Sequence, residues 1–108
     1  MIGEPDVIGR YFEADARRDT DSVVGLFTED AVVVDESRTW RGVGEIRAWR
    51  KGPVSQYEYT TEVFDTVSTG QDEYLVTGRL EGNFPGGTVD VTWRFTVLDN
   101  RISHLHIA

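Results

Sequence analysis

The sequence predicts an α+β domain: a strongly bent antiparallel sheet packed on three N-terminal helices. Three observations carry this. Helical signals dominate the first half of the 108 residues and strand signals the second. The later segments alternate apolar and polar residues, as antiparallel strands with two unlike faces do. Gly78 and Gly82 fall inside one of those segments, where glycine marks a bulge or bend.

The first helix is expected to start at Pro5, favourable at the first helical position, with Asp6 in the first turn. Val7, Ile8, Tyr11, Phe12 and Asp15 recur at spacings of three and four, which makes them the inward stripe. Asp19 or Asp21 caps a second helix that runs through Phe27. Ala31 to Asp35 is rich in β-branched residues and reads as a short buried strand. A third helix spans about Val43 to Lys51, with Ile46 and Trp49 inward, Gly52 after its end and Pro53 blocking continuation.

Strands follow. Tyr57 to Asp65 sets Tyr57, Tyr59, Thr61 and Val63 against Glu58, Thr60, Glu62 and Phe64. Glu73 to Phe84 places Tyr74, Val76, Leu80 and Phe84 on one face. Pro85-Gly86-Gly87 is a turn. Thr88 to Leu98 puts Val89, Val91, Trp93, Phe95 and Val97 inward and Asp90, Thr92, Arg94 and Thr96 outward. Asp99-Asn100 turns the chain into a last strand, Arg101 to Ala108. Both sheet faces carry apolar groups, so the outer face meets either solvent or a partner.

Composition bounds function. Residues 1–108 fit one domain. A net charge of -8, from 19 acidic and 11 basic residues, disfavours nucleic acid and anionic membrane surfaces as partners. No apolar run approaches the roughly 20 residues of a membrane span. Met1 to Pro5 lacks the charged and apolar regions of a secretory signal. A cytoplasmic protein is the expectation. Cysteine is absent, which removes disulfides, thiol nucleophiles and cysteine metal ligands. No phosphate-binding glycine loop or Ser–His–Asp order occurs. No cofactor or metal is indicated.

Several residues are candidates for chemistry. Asp35 ends a run of valines, an unusual place for an ionisable group. Burial adapts a carboxyl to proton transfer; the alternative is a strand-end carboxylate paired with Arg38, Arg41 or Arg47. Tyr11 is either a donor to a substrate oxygen or a core aromatic. Tyr57, Tyr59, Trp93 and Phe95 either line an aromatic pocket or fill the core. Trp40 either closes the pocket mouth or simply packs. His104 and His106, two apart and on one face with Ile102, are either accessory acid–base groups or exposed. A pair at that spacing with no third ligand is a weak metal signal.

Together these segments resemble the nuclear transport factor 2-like (cystatin-like) superfamily, in its SnoaL-like branch with the ketosteroid isomerases and polyketide cyclases. The resemblance rests on Arg10-Tyr11-Phe12, Asp19-Thr20-Asp21, Leu26-Phe27 with Thr28 to Asp35, Arg41-Gly42-Val43-Gly44-Glu45-Ile46, Trp93-Arg94-Phe95 and Asn100-Arg101-Ile102. It spans nearly the whole chain. It implies a cone-shaped fold around a deep apolar pocket. In the isomerases a helix-one Tyr donates to the substrate oxyanion and a strand-end carboxylate shuttles the proton. Those roles fall on Tyr11 and Asp35, 24 residues apart, which agrees with the family spacing. The second oxyanion donor, an acid in that branch, falls on Val91; Asp90 is adjacent but alternation points it outward. The Pro that often follows the base is Glu36 here. The loss of one oxyanion donor costs roughly 100- to 1000-fold in rate.

The reading is therefore a pocket protein for a small hydrophobic carbonyl compound. It performs cofactor-independent acid–base chemistry of isomerase, dehydratase or cyclase type. Asp35 is its proton carrier and Tyr11 its oxyanion donor. Tyr57, Tyr59, Val91, Trp93, Phe95 and Trp40 line the pocket, and Asp90, His104 and His106 are accessory. A homodimer through the outer sheet face is expected. The alternatives are a non-catalytic binding or dimerisation module and an assembly domain.

Overall fold

The computed structural model describes residues 6–108. Helix α1 spans Asp6–Ala16 and buries Val7, Ile8, Tyr11, Ala14 and Asp15, one stripe at helical spacing. The expected start at Pro5 lies outside the described residues. Asp19 caps the short α2, Thr20–Val24, by accepting the Ser22 amide at 3.1 Å and the Ser22 hydroxyl at 2.7 Å.

The chain is already extended at Phe27. Strand β1 covers Phe27–Asp35, so Phe27 opens the strand rather than closing the second helix. Ala31 and Val33 are fully buried, and alternation aims Asp35 to the same side. A turn at Glu36 and Ser37, both with positive φ (53° and 65°), leads into β2, Arg38–Arg41. That hairpin was not expected, because such turns normally announce themselves by Asn-Gly or Asp-Gly. Helix α3 follows over Gly42–Lys51 and buries Ile46, Trp49 and Arg50. A single 3₁₀ turn, Val54–Gln56, leads to β3, Tyr59–Gly70. The remaining strands are β4, Glu73–Gly82, β5, Thr88–Leu98, and β6, Arg101–Ile107.

The six strands lie in the order β2-β1-β6-β5-β4-β3. The sheet is antiparallel, as expected, except at one seam: β1 and β6 run parallel, with Val33 opposite Leu105 and Asp35 opposite Ile107. The other four pairings are antiparallel. The sheet curls but does not close, with β2 and β3 as its edges.

Two of its register shifts shape the sheet around the site. Phe64 is an extra residue in β3, between the pairs Val63–Gly78 and Asp65–Thr77. A Cβ on Gly78 would collide with the Glu62 carbonyl and lie 3.0 Å from the Trp93 ring, so glycine is what lets β3 come this close. Ser103 is an extra residue in β6, between the pairs Val97–Ile102 and Thr96–His104. It shifts the alternation of β6. Ile102 and Leu105 both face the core, fully buried, while His104 and His106 turn to the outer face. The expected common face of Ile102 and the two histidines is thereby corrected.

The core lies between the helices and the inner sheet face. Trp49, Phe27, Phe95, Ile8, Ile46 and Leu105 are among its fully buried side chains. On the outer face, Val67 and Leu98 are exposed, as is the bulged Phe64 under the Arg79 guanidinium.

Candidate functional site

A cavity of about 560 Å³ opens between α1, α3 and the inner face of the sheet. Leu80, Val89, Val91, Trp93 and Ile107 give it an apolar wall. Phe84 continues that wall and packs at 5.0 Å from the Tyr57 ring and 6.1 Å from the Tyr59 ring. Polar groups reach it from four places: the end of β1, helices α1 and α3, and β3 with the segment before it.

Asp35 borders the cavity from the end of β1, where alternation with Ala31 and Val33 turns it inward. Its Oδ2 accepts a 2.9 Å hydrogen bond from the Trp49 indole nitrogen. Among the described residues it pairs with no arginine: Arg47 bonds Asp21 instead, and Arg38 lies over the Trp40 ring. One carboxylate oxygen is therefore fixed by a neutral donor and the other accepts no hydrogen bond from a described residue.

Tyr11 stands on α1 with its ring gripped edge-on by Phe12, Phe27 and Phe95, at centroid distances of 5.2, 6.4 and 5.5 Å. The residue is 3% exposed, yet it borders the cavity. Burial, reinforced by the Asp15 charge, raises its hydroxyl well above the ordinary tyrosine range. The phenol stays protonated and remains a hydrogen-bond donor.

Beside it lies a charged network that sequence reasoning missed. Asp15 Oδ1 accepts the Tyr59 hydroxyl at 2.7 Å and pairs with Arg50 Nη2 at 2.8 Å. Asp15 and Arg50 are each 5% exposed. Burial opposes the Arg50 charge, but Tyr11 and Asp15 outweigh it and the guanidinium pKa rises. Burial, then Asp15, pushes the Tyr59 hydroxyl up as well. Arg18 lies 4.2 Å over the Tyr59 ring and donates to the Tyr57 carbonyl. A signal did exist. Asp15 falls on the buried stripe of the first helix, and a buried carboxylate requires a partner.

Tyr57, Tyr59, Val91 and Trp93, named as pocket candidates from the sequence, line the cavity. Other expected positions do not. Phe95 is 1% exposed and packs beneath Tyr11 and Phe12, so it belongs to the core. Trp40 packs half-buried against the core and does not border the cavity. Asp90 touches only the rim, with an exposed carboxylate 2.8 Å from Arg79 Nε. The β4–β5 register is unbroken from Glu73 to Glu81, which leaves Val91 inward and Asp90 outward. The Ser103 bulge takes His104 off the cavity and leaves an exposed His106 at its edge. Glu36 and Ser37, not anticipated, form part of the mouth. Among the described residues no three His, Cys, Asp or Glu side chains are grouped to hold a metal ion. Nor is any described helix long and apolar enough to cross a membrane.

Residues 8–105 match the family described as SnoaL-like domain. A candidate polyketide cyclase from Sinorhizobium meliloti is 37% identical, with 97% of this chain and 95% of that one covered and a TM-score of 0.90. SalBIII, an epoxide hydrolase/cyclase-like enzyme of pyran ring formation in salinomycin, is 22% identical (94% and 86% covered, TM-score 0.80). A Catenulispora acidiphila protein with a ketosteroid isomerase-like fold, complexed with trimethylamine, is 16% identical (98% and 86% covered, TM-score 0.84). No curated protein matches this chain.

Proposed function

The chain belongs to the SnoaL-like domain family, and from that premise we propose that its cavity binds a small, largely apolar carbonyl compound and moves a proton on it. One observation carries the reading. A carboxylate with a single oxygen anchored by an indole N–H borders the same apolar cavity as an un-ionised phenol. Asp35 takes a proton from the carbon next to the carbonyl. Tyr11 donates to the carbonyl oxygen as negative charge gathers there. The enolate then has three ways forward. It takes the proton back at another carbon, expels a β-leaving group, or attacks a second carbonyl within the same molecule. The last would be a cyclisation, and the relation to a candidate polyketide cyclase favours it.

Position 91 weighs against efficient steroid-type isomerisation, because Val91 supplies no second donor at the strand position where that branch has an acid. Exposed Phe64, Val67 and Leu98 on the outer sheet face support a homodimer through that face.

The test is deuterium wash-in. Apolar enolisable ketones are incubated with the protein in heavy water and their α-protons followed by NMR. Exchange faster than in buffer supports proton transfer. Binding without exchange by any ketone overturns it and leaves a binding module.

A further inference from the structure

Of the described residues that border the cavity, Arg50 is the one lysine or arginine; Asp15, Asp35, Glu36 and Asp90 are all acidic. It is also the least ordinary residue there. Its side chain is 3% exposed and that of its counter-ion Asp15 6%. A buried ion pair is weak evidence for stability, since apolar residues of the same volume often serve as well. Some other demand has to account for it.

The hydrogen bonding is incomplete. Asp15 spends one oxygen on two donors, Tyr59 and Arg50. A guanidinium has five N–H groups in a planar fork. Arg50 Nε is enclosed and has no partner. An unpaired charged donor inside a protein is costly, and Arg50 carries it at the wall of the cavity, where a ligand oxygen can meet the rest of the guanidinium fork. Tyr11 borders the same cavity and interacts electrostatically with both Asp15 and Arg50. The apolar Val91 offers nothing of the kind from the opposite strand.

We infer that Arg50 is a second donor to the substrate oxygen beside Tyr11, and that the carbonyl compound is one that forms a stabilised enolate, for which an acidic phenol stands in. The inference rests on the proposed acid–base reading of the cavity. It adds a cation to that reading, and a cation favours an oxygen that carries full negative charge. Asp15 sets how much of the cation is available, and Tyr59 shares that carboxylate.

The test is binding, so that it stands apart from turnover. Phenols of similar size and graded acidity are titrated against the protein, with tryptophan fluorescence as the readout. The wild type should bind the most acidic phenol about tenfold or more tighter than the least acidic one. Arg50→Met alone strands a buried carboxylate and endangers the fold. The double variant Asp15→Asn/Arg50→Met removes both charges, and in it the preference for acidity should shrink to what Tyr11 alone supports. Asp15→Asn, which frees the cation, should sharpen the preference. An acidity preference undiminished in the double variant overturns the role of Arg50 while leaving the pocket intact. Phenols that all bind without an acidity preference overturn it equally. No binding by any phenol would overturn the pocket reading, and this inference with it.

Discussion

The Trp49 indole nitrogen donates to Asp35 Oδ2 at 2.9 Å, joining helix α3 to the end of strand β1. Trp49 is itself 1% exposed. The donor is therefore held by the core, and the carboxylate inherits that rigidity. Catalytic groups gain from such anchoring because a misplacement of about 1 Å can cost 100-fold in rate.

Trp49→Phe keeps an aromatic ring and removes the donor. The variant should lose about 1–3 kcal/mol of stability in urea unfolding, from the lost bond and the space left behind. Its α-proton exchange should fall about tenfold or more while ligand affinity changes little. Unchanged exchange would show that Asp35 needs no anchor.

Asp15→Leu leaves the Arg50 cation buried without its counter-ion. Such a loss typically costs about 3–5 kcal/mol. Asp15→Leu/Arg50→Met should recover most of it, because both charges are then gone. A double-mutant cycle by chemical denaturation reads the coupling directly. Additive losses would mean that the 2.8 Å pair contributes no coupling.

Alkaline pH should expose the two buried phenols. Tyr11 and Tyr59 both have pKa values raised by burial in the folded protein. The unfolded chain releases such protons near pH 10. Above that pH the unfolded state holds fewer protons than the native one, so stability falls as pH rises. Each phenol should contribute a slope of about 1.4 kcal/mol per pH unit until it ionises in the folded state. Below pH 10 neither should matter. Tyr11→Phe should remove one share of the slope, measured by urea unfolding between pH 9 and 11. An identical slope in the variant would contradict the protonated Tyr11 on which the oxyanion role depends.

Gly78→Ala tests the bend of the sheet. The added Cβ meets the Glu62 backbone and the Trp93 ring, neither of which can move cheaply. A loss of about 1–3 kcal/mol is expected by thermal melting. A neutral effect would mean that β3 is free to draw back from β4.

Much of this is legible in the sequence. The stripe Val7, Ile8, Tyr11, Asp15 belongs to a helix by its spacing, and Ala31, Val33, Asp35 point one way by strand alternation. Those two local periodicities bring Tyr11 and Asp35 to one cavity. Strand β2 was hidden because Glu36 and Ser37 adopt positive φ without the residue types that usually do so. The parallel seam of β1 with β6 is a long-range pairing on which local periodicity is silent. One extra residue, Ser103, reversed the face of the histidines. The Asp15–Arg50 pair joins two helices 35 positions apart in sequence, so neither residue announces the other.

The proposed function turns on whether Asp35 moves a proton on a ligand held in the cavity. Deuterium exchange at the α-carbon of an enolisable ketone should be compared in the wild type, Asp35→Asn and Tyr11→Phe. Asparagine keeps the shape and the acceptor for Trp49 but has no basic oxygen. Asp35→Asn should abolish exchange with the ketone still bound, and Tyr11→Phe should slow it roughly 100-fold or more. Exchange by Asp35→Asn at the wild-type rate would mean that Asp35 is not the proton carrier.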